Sequence, residues 1–349
     1  MLYSASWYES FLSTNGNSEM LFLKNHLKRL LIGIAFLVGF LLIDYRALKQ
    51  IAPYLIIFSL LLLVLTKATY LINGYSWYKP ARWLSIGSFG FQTSDIARFS
   101  ILIFMAYYVD KQRDLIKNFQ NGLFPALLIL FLIMSLIIIQ PDYSTAIMIG
   151  FLGILILFIG GAKISQILLT CSTALLIGIP VLLSRAYRRE RILSFFGIGD
   201  NPDVGYQAHQ SLISLGNGGL FGTGLGNSIE KNHFLPTPHT DFIFAIIGEE
   251  LGFLIGTVPV LTLFLLIFFQ GVKIAKNCND PFGIFLSVGI VSNLILYAFV
   301  NAAVVTGLLP VTGLPMPMVS YGGSGMIINM SLIGILLNIS QARRPVGDN

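Results

Sequence analysis

The sequence predicts an all-α, polytopic transmembrane helical bundle, and three observations carry that prediction. Hydrophobic residues make up 55% of the chain and charged residues only 11%, with a mean hydropathy of +0.78; soluble domains carry about 25% charge. Apolar runs long enough to cross a bilayer recur from end to end. The segments between them hold the Gly, Pro and charged residues that punctuate helices. The 349 residues read as a single membrane-embedded domain, 1–349.

In chain order, Met1–Ser6 is a short apolar start and 7–29 is mixed polar and aromatic. Helices are expected at 30–44, 51–67, 95–109, 122–140, 143–160, 165–184, 241–270, 282–308 and 323–340, which makes nine full spans. The third opens on Thr93-Ser94-Asp95, the fifth follows Pro141-Asp142, and the seventh follows Pro236-Thr237-Pro238, all of them helix-start chemistry. Two connecting segments are long, 68–94 and 185–240. A loop of the second kind in a compact protein usually carries function. Lys and Arg are shared almost evenly between the two alternate sets of loops. Because long loops count less in the positive-inside rule, Arg343 and Arg344 are expected in the cytoplasm and 185–240 outside. One segment near the end, Pro310 to Gly325, is broken by Gly and Pro with no partner in the first half, which argues against an inverted-repeat transporter.

Composition also excludes function classes. Cys171, in an apolar run, and Cys278, in a short polar loop, do not make a disulfide framework. The four histidines lack metal-binding spacing. A net charge of +6 suits anionic membrane lipids or a phosphate-bearing substrate. The basic residues are scattered through loops rather than clustered, which argues against nucleic acid.

Ionisable residues at membrane depth are functional candidates by default, and this chain has few. Asp241 stands at the head of the seventh helix, beside His239 and Thr240 and below a Gly-rich segment, Leu215–Ser228. Two readings stay open for it: a general base acting on a sugar hydroxyl, or a first-turn carboxylate capping the helix and favoured by its dipole. Glu249 lies about 80° round the helix from Asp241 and roughly 12 Å deeper, with Glu250 on the opposite face; one of them is expected to bond to neighbouring helices. Asp95 and Arg98 sit one turn apart, either as a local ion pair with Ser94 as cap or as substrate-facing groups. Asp142 reads as a first-turn cap. Arg185, Arg188, Arg189 and Arg191 would suit a pyrophosphate at the membrane edge, or snorkel to headgroups. The glycines of 215–228 would let backbone N–H groups approach an anion, but no Lys-Ser/Thr follows, so this is not a nucleotide P-loop.

These residues, with Tyr3-Ser4-Ala5-Ser6, Ala81-Arg82-Trp83-Leu84, Gln140-Pro141-Asp142, Tyr187–Arg191, Gln210–Ile213, His239–Gly252, Leu309–Pro317 and Ser320–Ser324, resemble the SEDS family, the shape, elongation, division and sporulation proteins, over nearly the whole length. Gly224–Ser228 and its short spacing to His239 look more like the division branch than the elongation branch. The resemblance implies a peptidoglycan glycosyltransferase that polymerises lipid II outside the cytoplasmic membrane, at the division septum. Its implied partners are a class B penicillin-binding protein (an FtsI-like transpeptidase), other divisome proteins and membrane lipids. Asp241 matches the family's essential acidic residue, the base on the acceptor's GlcNAc 4-hydroxyl. Substrate-binding candidates are Arg82, Trp83, Asp95, Arg98, Arg188, Arg189, Arg191, Lys231, His239, Thr240, Ser320 and Tyr321. No cofactor is certain and no protein metal site is expected; a divalent cation, Mg or Mn, is admitted. Two rival functions are a lipid II flippase and a non-catalytic scaffold that recruits the transpeptidase.

Three departures from the family pattern stand out. Only the tail of a first helix is expected, at Met1–Ser6, against the family's ten helices. Thr93-Ser94-Asp95 stands where the family has Pro-Ser-Glu, and Pro236-Thr237-Pro238 replaces the common Pro-Glu before His239. Altered regulation is expected from these changes rather than lost chemistry.

Overall fold

The computed structural model describes residues 1–72, 82–87, 89–184, 186–198, 202–232 and 234–342. Among these, all nine expected runs fall on helices. α1 is Leu2–Ser13, α2 Leu21–Leu42, α3 Arg46–Ile72 and α4 Thr93–Lys111. α5 is Phe124–Ile139, preceded by a π-helical turn at Phe119–Leu123; α6 is Tyr143–Ile159 and α7 Ile164–Leu183. α8 is Ala186–Phe195, α9 Pro202–Gly218 and α10 Ile243–Gly252; a second π-helical turn, Phe253–Thr257, leads into α11, Val258–Asn277. α12 is Pro281–Val305 and α13 Ser324–Gln341. One antiparallel hairpin, β1 Trp83–Ile86 and β2 Phe89–Gln92, pairs Trp83 with Gln92 and Leu84 with Phe91. Among the described residues seven helices are long and apolar enough to cross a membrane, with Tyr143–Ile159 a shorter apolar helix. The protein is a multi-pass helical membrane protein.

The differences from expectation have physical reasons. α1 extends past the expected Met1–Ser6 remnant to Ser13. α2 starts well before residue 30, because Phe22, His26 and Arg29 take up side-chain partners there and a polar helix start is held by tertiary contact rather than by apolarity. The segment 185–240 is not one loop: it folds α8 and α9. α4 carries Asp95, Arg98, Asp110 and Lys111, yet most of its residues are buried; a helix enclosed by others tolerates polar groups that a lipid-facing helix does not. Arg343 and Arg344, expected in the cytoplasm, and Arg185 lie outside the described residues.

The chain forms two compact units, each built from separate segments. The first comprises Met1–Leu31, Leu175–Ile267 and Leu294–Gly322; the second comprises Ile32–Ala174, Phe268–Asn293 and Gly323–Asn349. The core of the first centres on α10, whose Ile243, Phe244, Ala245 and Ile246 are buried with Ala298, Ala302, Val305 and Met316. The core of the second centres on α4, whose Ile101, Leu102, Ile103 and Met105 are fully buried and which packs on α3, α5, α6 and α13.

The Gly-rich segment belongs to the first core. Gly222 (φ +81°) and Gly252 (φ +77°) cross so closely that a Cβ on Gly222 would lie 2.3 Å from Glu250 O, and one on Gly252 2.3 Å from Gly222 N. Thr223 N and Gly224 N donate to the carbonyls of Glu249 and Glu250 at 2.9 and 3.0 Å, while Phe253 N donates to Gly219 O at 2.9 Å. These glycines serve a backbone-to-backbone splice. Several of their N–H groups are committed to helix carbonyls, which replaces the expected anion cradle.

Candidate active site

Asp241 is placed by both its flanks. Before it, Thr240 Oγ1 donates to Thr237 O at 3.0 Å, and the His239 carbonyl accepts from Tyr321 N at 2.8 Å. After it, α10 begins at Ile243 with Phe242 in the N-cap position and no acidic residue in the first turn. The capping reading of Asp241 is therefore corrected: the residue sits in the turn ahead of the helix, too early for a first-turn cap. Its side chain is half-buried, and a Cβ on Gly313 would stand 3.5 Å from Asp241 Oδ2, so the carboxylate faces the 309–317 segment across a glycine. Asn301 Nδ2, from α12, donates to the Asp241 carbonyl at 2.7 Å and to the Leu314 carbonyl at 2.8 Å. Arg191 Nη1, from α8, donates to Val311 O at 2.9 Å. The first unit thus assembles one rim from the expected His239, Thr240, Asp241 and Arg191, and adds Asn301 and Gly313.

An aromatic cluster backs this rim. His239 packs on Phe22 (4.6 Å between ring centroids) and on Tyr321 (5.4 Å), and the Arg29 guanidinium lies 5.1 Å from the Tyr321 ring centre, within cation–π range. Burial pushes the His239 imidazole down to about 4, so it is neutral at pH 7; Glu9 Oε2 is 3.8 Å from its Nδ1. Ser320, expected to meet substrate, is instead buried, and its Oγ accepts from Met316 N at 2.8 Å. It folds the loop. On α8, Arg188 is half-buried and Arg189 exposed.

Both glutamates of α10 are structural, where one was expected to be. Glu249 accepts from Ser214 Oγ at 2.9 Å, Ser228 Oγ at 2.6 Å and Ile229 N at 2.9 Å. Glu250 accepts from Lys231 Nζ at 2.8 Å and from Ser4 Oγ; Lys231 also donates to Gly226 O at 2.6 Å and Ser4 Oγ at 2.8 Å. Lys231 and Glu250 have side chains 2% and 0% exposed. Lys231 is thereby withdrawn from the pyrophosphate candidates: its three protons have protein partners and no path to solvent.

The second unit holds its own polar cluster. Asp142 occupies the N-cap position of α6 but makes no cap bond; its carboxylate accepts from Gln92 Nε2 at 2.7 Å and Ser94 Oγ at 3.0 Å, and Arg82 lies 3.7 Å away. Ser94 is thus no cap for α4, whose N-cap residue is Gln92. Asp95 accepts from Arg98 at 3.1 Å and Ser324 Oγ at 2.7 Å, and Arg98 reaches Asn329 Oδ1 at 3.4 Å. The Asp95–Arg98 ion pair is present as read, with tertiary partners added. Trp83 lies against Gly323. Among the described residues no three His, Cys, Asp or Glu side chains converge to hold a metal ion.

The sequence model of the cell cycle proteins FtsW, RodA and SpoVE matches residues 1–345. The chain belongs to that family. It is 37% identical over 342 residues to a probable peptidoglycan glycosyltransferase FtsW of Geobacter metallireducens, covering 97% of this chain and 90% of that one. It is 35% identical to the stage V sporulation protein E of Bacillus subtilis, covering 99% and 93%. Among solved structures it is similar to a chain of a peptidoglycan synthase complex that coordinates polymerization and crosslinking, at 25% identity and a TM-score of 0.75, covering 98% of this chain and 96% of that one. The rod shape determining protein RodA of Thermus thermophilus shares the fold, at 22% identity and a TM-score of 0.65 over 98% and 94%. For an FtsW/RodA/SpoVE member, the ordered 239–241 and 309–321 segments are the residues sequence motifs marked most densely. Asn301 is the site residue sequence reading missed; its signal was an amide inside an apolar helix.

Proposed function

We infer that this chain is a peptidoglycan glycosyltransferase. It polymerises lipid II into glycan strands at the outer face of the cytoplasmic membrane and releases undecaprenyl diphosphate. The observation that carries the reading is the state of Asp241. It is the one carboxylate of the 241–250 segment left half-buried at a rim, while Glu249 and Glu250 are sealed among donors.

In the mechanism, the Asp241 carboxylate takes the proton of the acceptor's GlcNAc 4-hydroxyl. The freed oxygen attacks the anomeric carbon of the donor, and the bond from that carbon to the pyrophosphate breaks, the leaving diphosphate keeping the electron pair. Exposure gives the carboxylate access, and the fixed backbone on both sides holds it in place, as a general base needs. Neutral His239 adds no competing charge beside it. Arg82, Arg98, Arg188 and Arg189 remain candidates for the diphosphate. An apolar cavity of about 320 Å³ between α9, α10, α11 and α12 is lined by Leu215, Phe244, Phe253, Leu261 and Phe299. It suits a segment of polyprenyl chain.

The partner is a class B penicillin-binding protein and the place of work the division septum. Support comes from the relatives named FtsW and from the similarity to a chain of a synthase complex. The flippase and scaffold alternatives are not favoured, since the FtsW relatives are named for glycosyl transfer. The test is to co-purify the chain with its cognate transpeptidase, supply labelled lipid II with moenomycin present, and resolve strands on a gel. Long strands from wild type and none from Asp241→Asn are expected; strands from both would remove Asp241 as base.

A further inference from the structure

We propose that Asn301 is the positioning residue of the catalytic carboxylate, a reading that rests on the glycosyltransferase function above. Asn301 is 1% exposed, within α12. Its single amide nitrogen spends both hydrogens on two main-chain carbonyls that are far apart in sequence, Asp241 O at 2.7 Å and Leu314 O at 2.8 Å. Those two carbonyls belong to the two segments that meet at Gly313, where an added Cβ would stand 3.5 Å from Asp241 Oδ2. The staple therefore fixes the residue that bears the base relative to the wall it faces.

Two further observations favour a positioning role over simple packing. The Asn301 Oδ1 is buried without a hydrogen-bond partner among the described residues. Native structures rarely leave such an acceptor orphaned, and an apolar side chain of the same size would avoid it. What such a side chain could not supply is the two donors. The junction also has a second tie, the main-chain hydrogen bond from Tyr321 N to His239 O, two residues before the carboxylate; α10 itself starts only at Ile243. Asp241 sits between these anchors, and Asn301 grips its own peptide. Positioning errors of about 1 Å cost roughly a hundredfold in rate.

The test compares Asn301→Leu, which keeps size and removes both donors, with Asn301→Asp, which keeps shape and offers at most one. Both are made in the full chain, purified with its transpeptidase and assayed for lipid II polymerisation. Asn301→Leu is expected to stay folded and partner-bound, with kcat down about a hundredfold and KM for lipid II within about threefold of wild type; Asn301→Asp ranks between. Hydrogen–deuterium exchange on the same samples is expected to show lost protection confined to peptides over 239–245 and 309–321, with 218–235 unchanged. A Leu variant with wild-type kcat, a loss wholly in KM, or exchange that is unchanged or raised throughout the first unit would overturn the proposal. If wild type itself makes no strands, the glycosyltransferase reading falls, while the exchange pattern still decides whether the staple exists.

Discussion

Asp241 and the Glu249–Glu250 pair stand on one short segment and share a chemistry, yet the fold treats them in opposite ways. Glu249 and Glu250 are nearly inaccessible; Glu249 accepts from two hydroxyls and a main-chain amide, and Glu250 Oε1 from a hydroxyl and an ammonium group. Asp241 is only half-buried, and the backbone around it is bonded on both sides. A carboxylate enclosed among donors is a cross-link; a half-buried carboxylate on a pinned main chain is placed to act as a reagent. Residue type does not separate the two, because all three are acidic residues within ten positions of one another in a membrane protein.

The largest effect that sharpens this contrast is Asp241→Asn. It should lower strand synthesis by about 10²–10⁴-fold and leave the thermal midpoint in detergent close to wild type, read by gel and by differential scanning fluorimetry. Lys231→Ala should invert the pattern. It strands the Glu250 charge, with about 3–5 kcal/mol of stability lost, visible as a large drop in thermal midpoint before any kinetic change is measured. The double replacement Lys231→Met with Glu250→Met should recover much of that loss, because no buried charge is left uncompensated; failure to recover would mean the pair does more than cross-link.

The next effect follows the pH. Unfolded His239 binds a proton below about 6.5, whereas in the folded protein burial delays this to about 4. Between those values the unfolded state binds more protons, so stability rises with pH through the window and is lost as the pH falls from 6.5 towards 4, by at most ~3 kcal/mol. Thermal midpoints at pH 5 and pH 8 should differ in wild type, and His239→Gln should flatten the difference. A further structural effect is Gly222→Ala, whose Cβ meets Glu250 O and needs a left-handed backbone. The backbone strain costs about 1–3 kcal/mol and the main-chain clash adds to it, so the thermal midpoint should fall while the kinetics of the folded fraction stay intact.

Much of the architecture was legible in the sequence. The nine apolar runs needed only hydropathy, because a bilayer forces every backbone polar group into a helix. Asp95–Arg98 needed only helical spacing. The motifs around His239–Asp241 and 309–324 marked the rim. What the sequence could not give was which polar group bonds to which. Lys231 looked like a phosphate ligand until its partners, Ser4, Gly226 and Glu250, were in place, and two of the three come from distant parts of the chain. The Gly-rich segment looked like an anion cradle, and only its crossing with α10 makes it a splice. Asn301 was one amide in an apolar run. Composition and periodicity are local, and they decided the class and the spans; the family resemblance singled out the candidate carboxylate. Whether a carboxylate is sealed or reachable depends on donors brought in by other segments, and that was decided only by the tertiary structure.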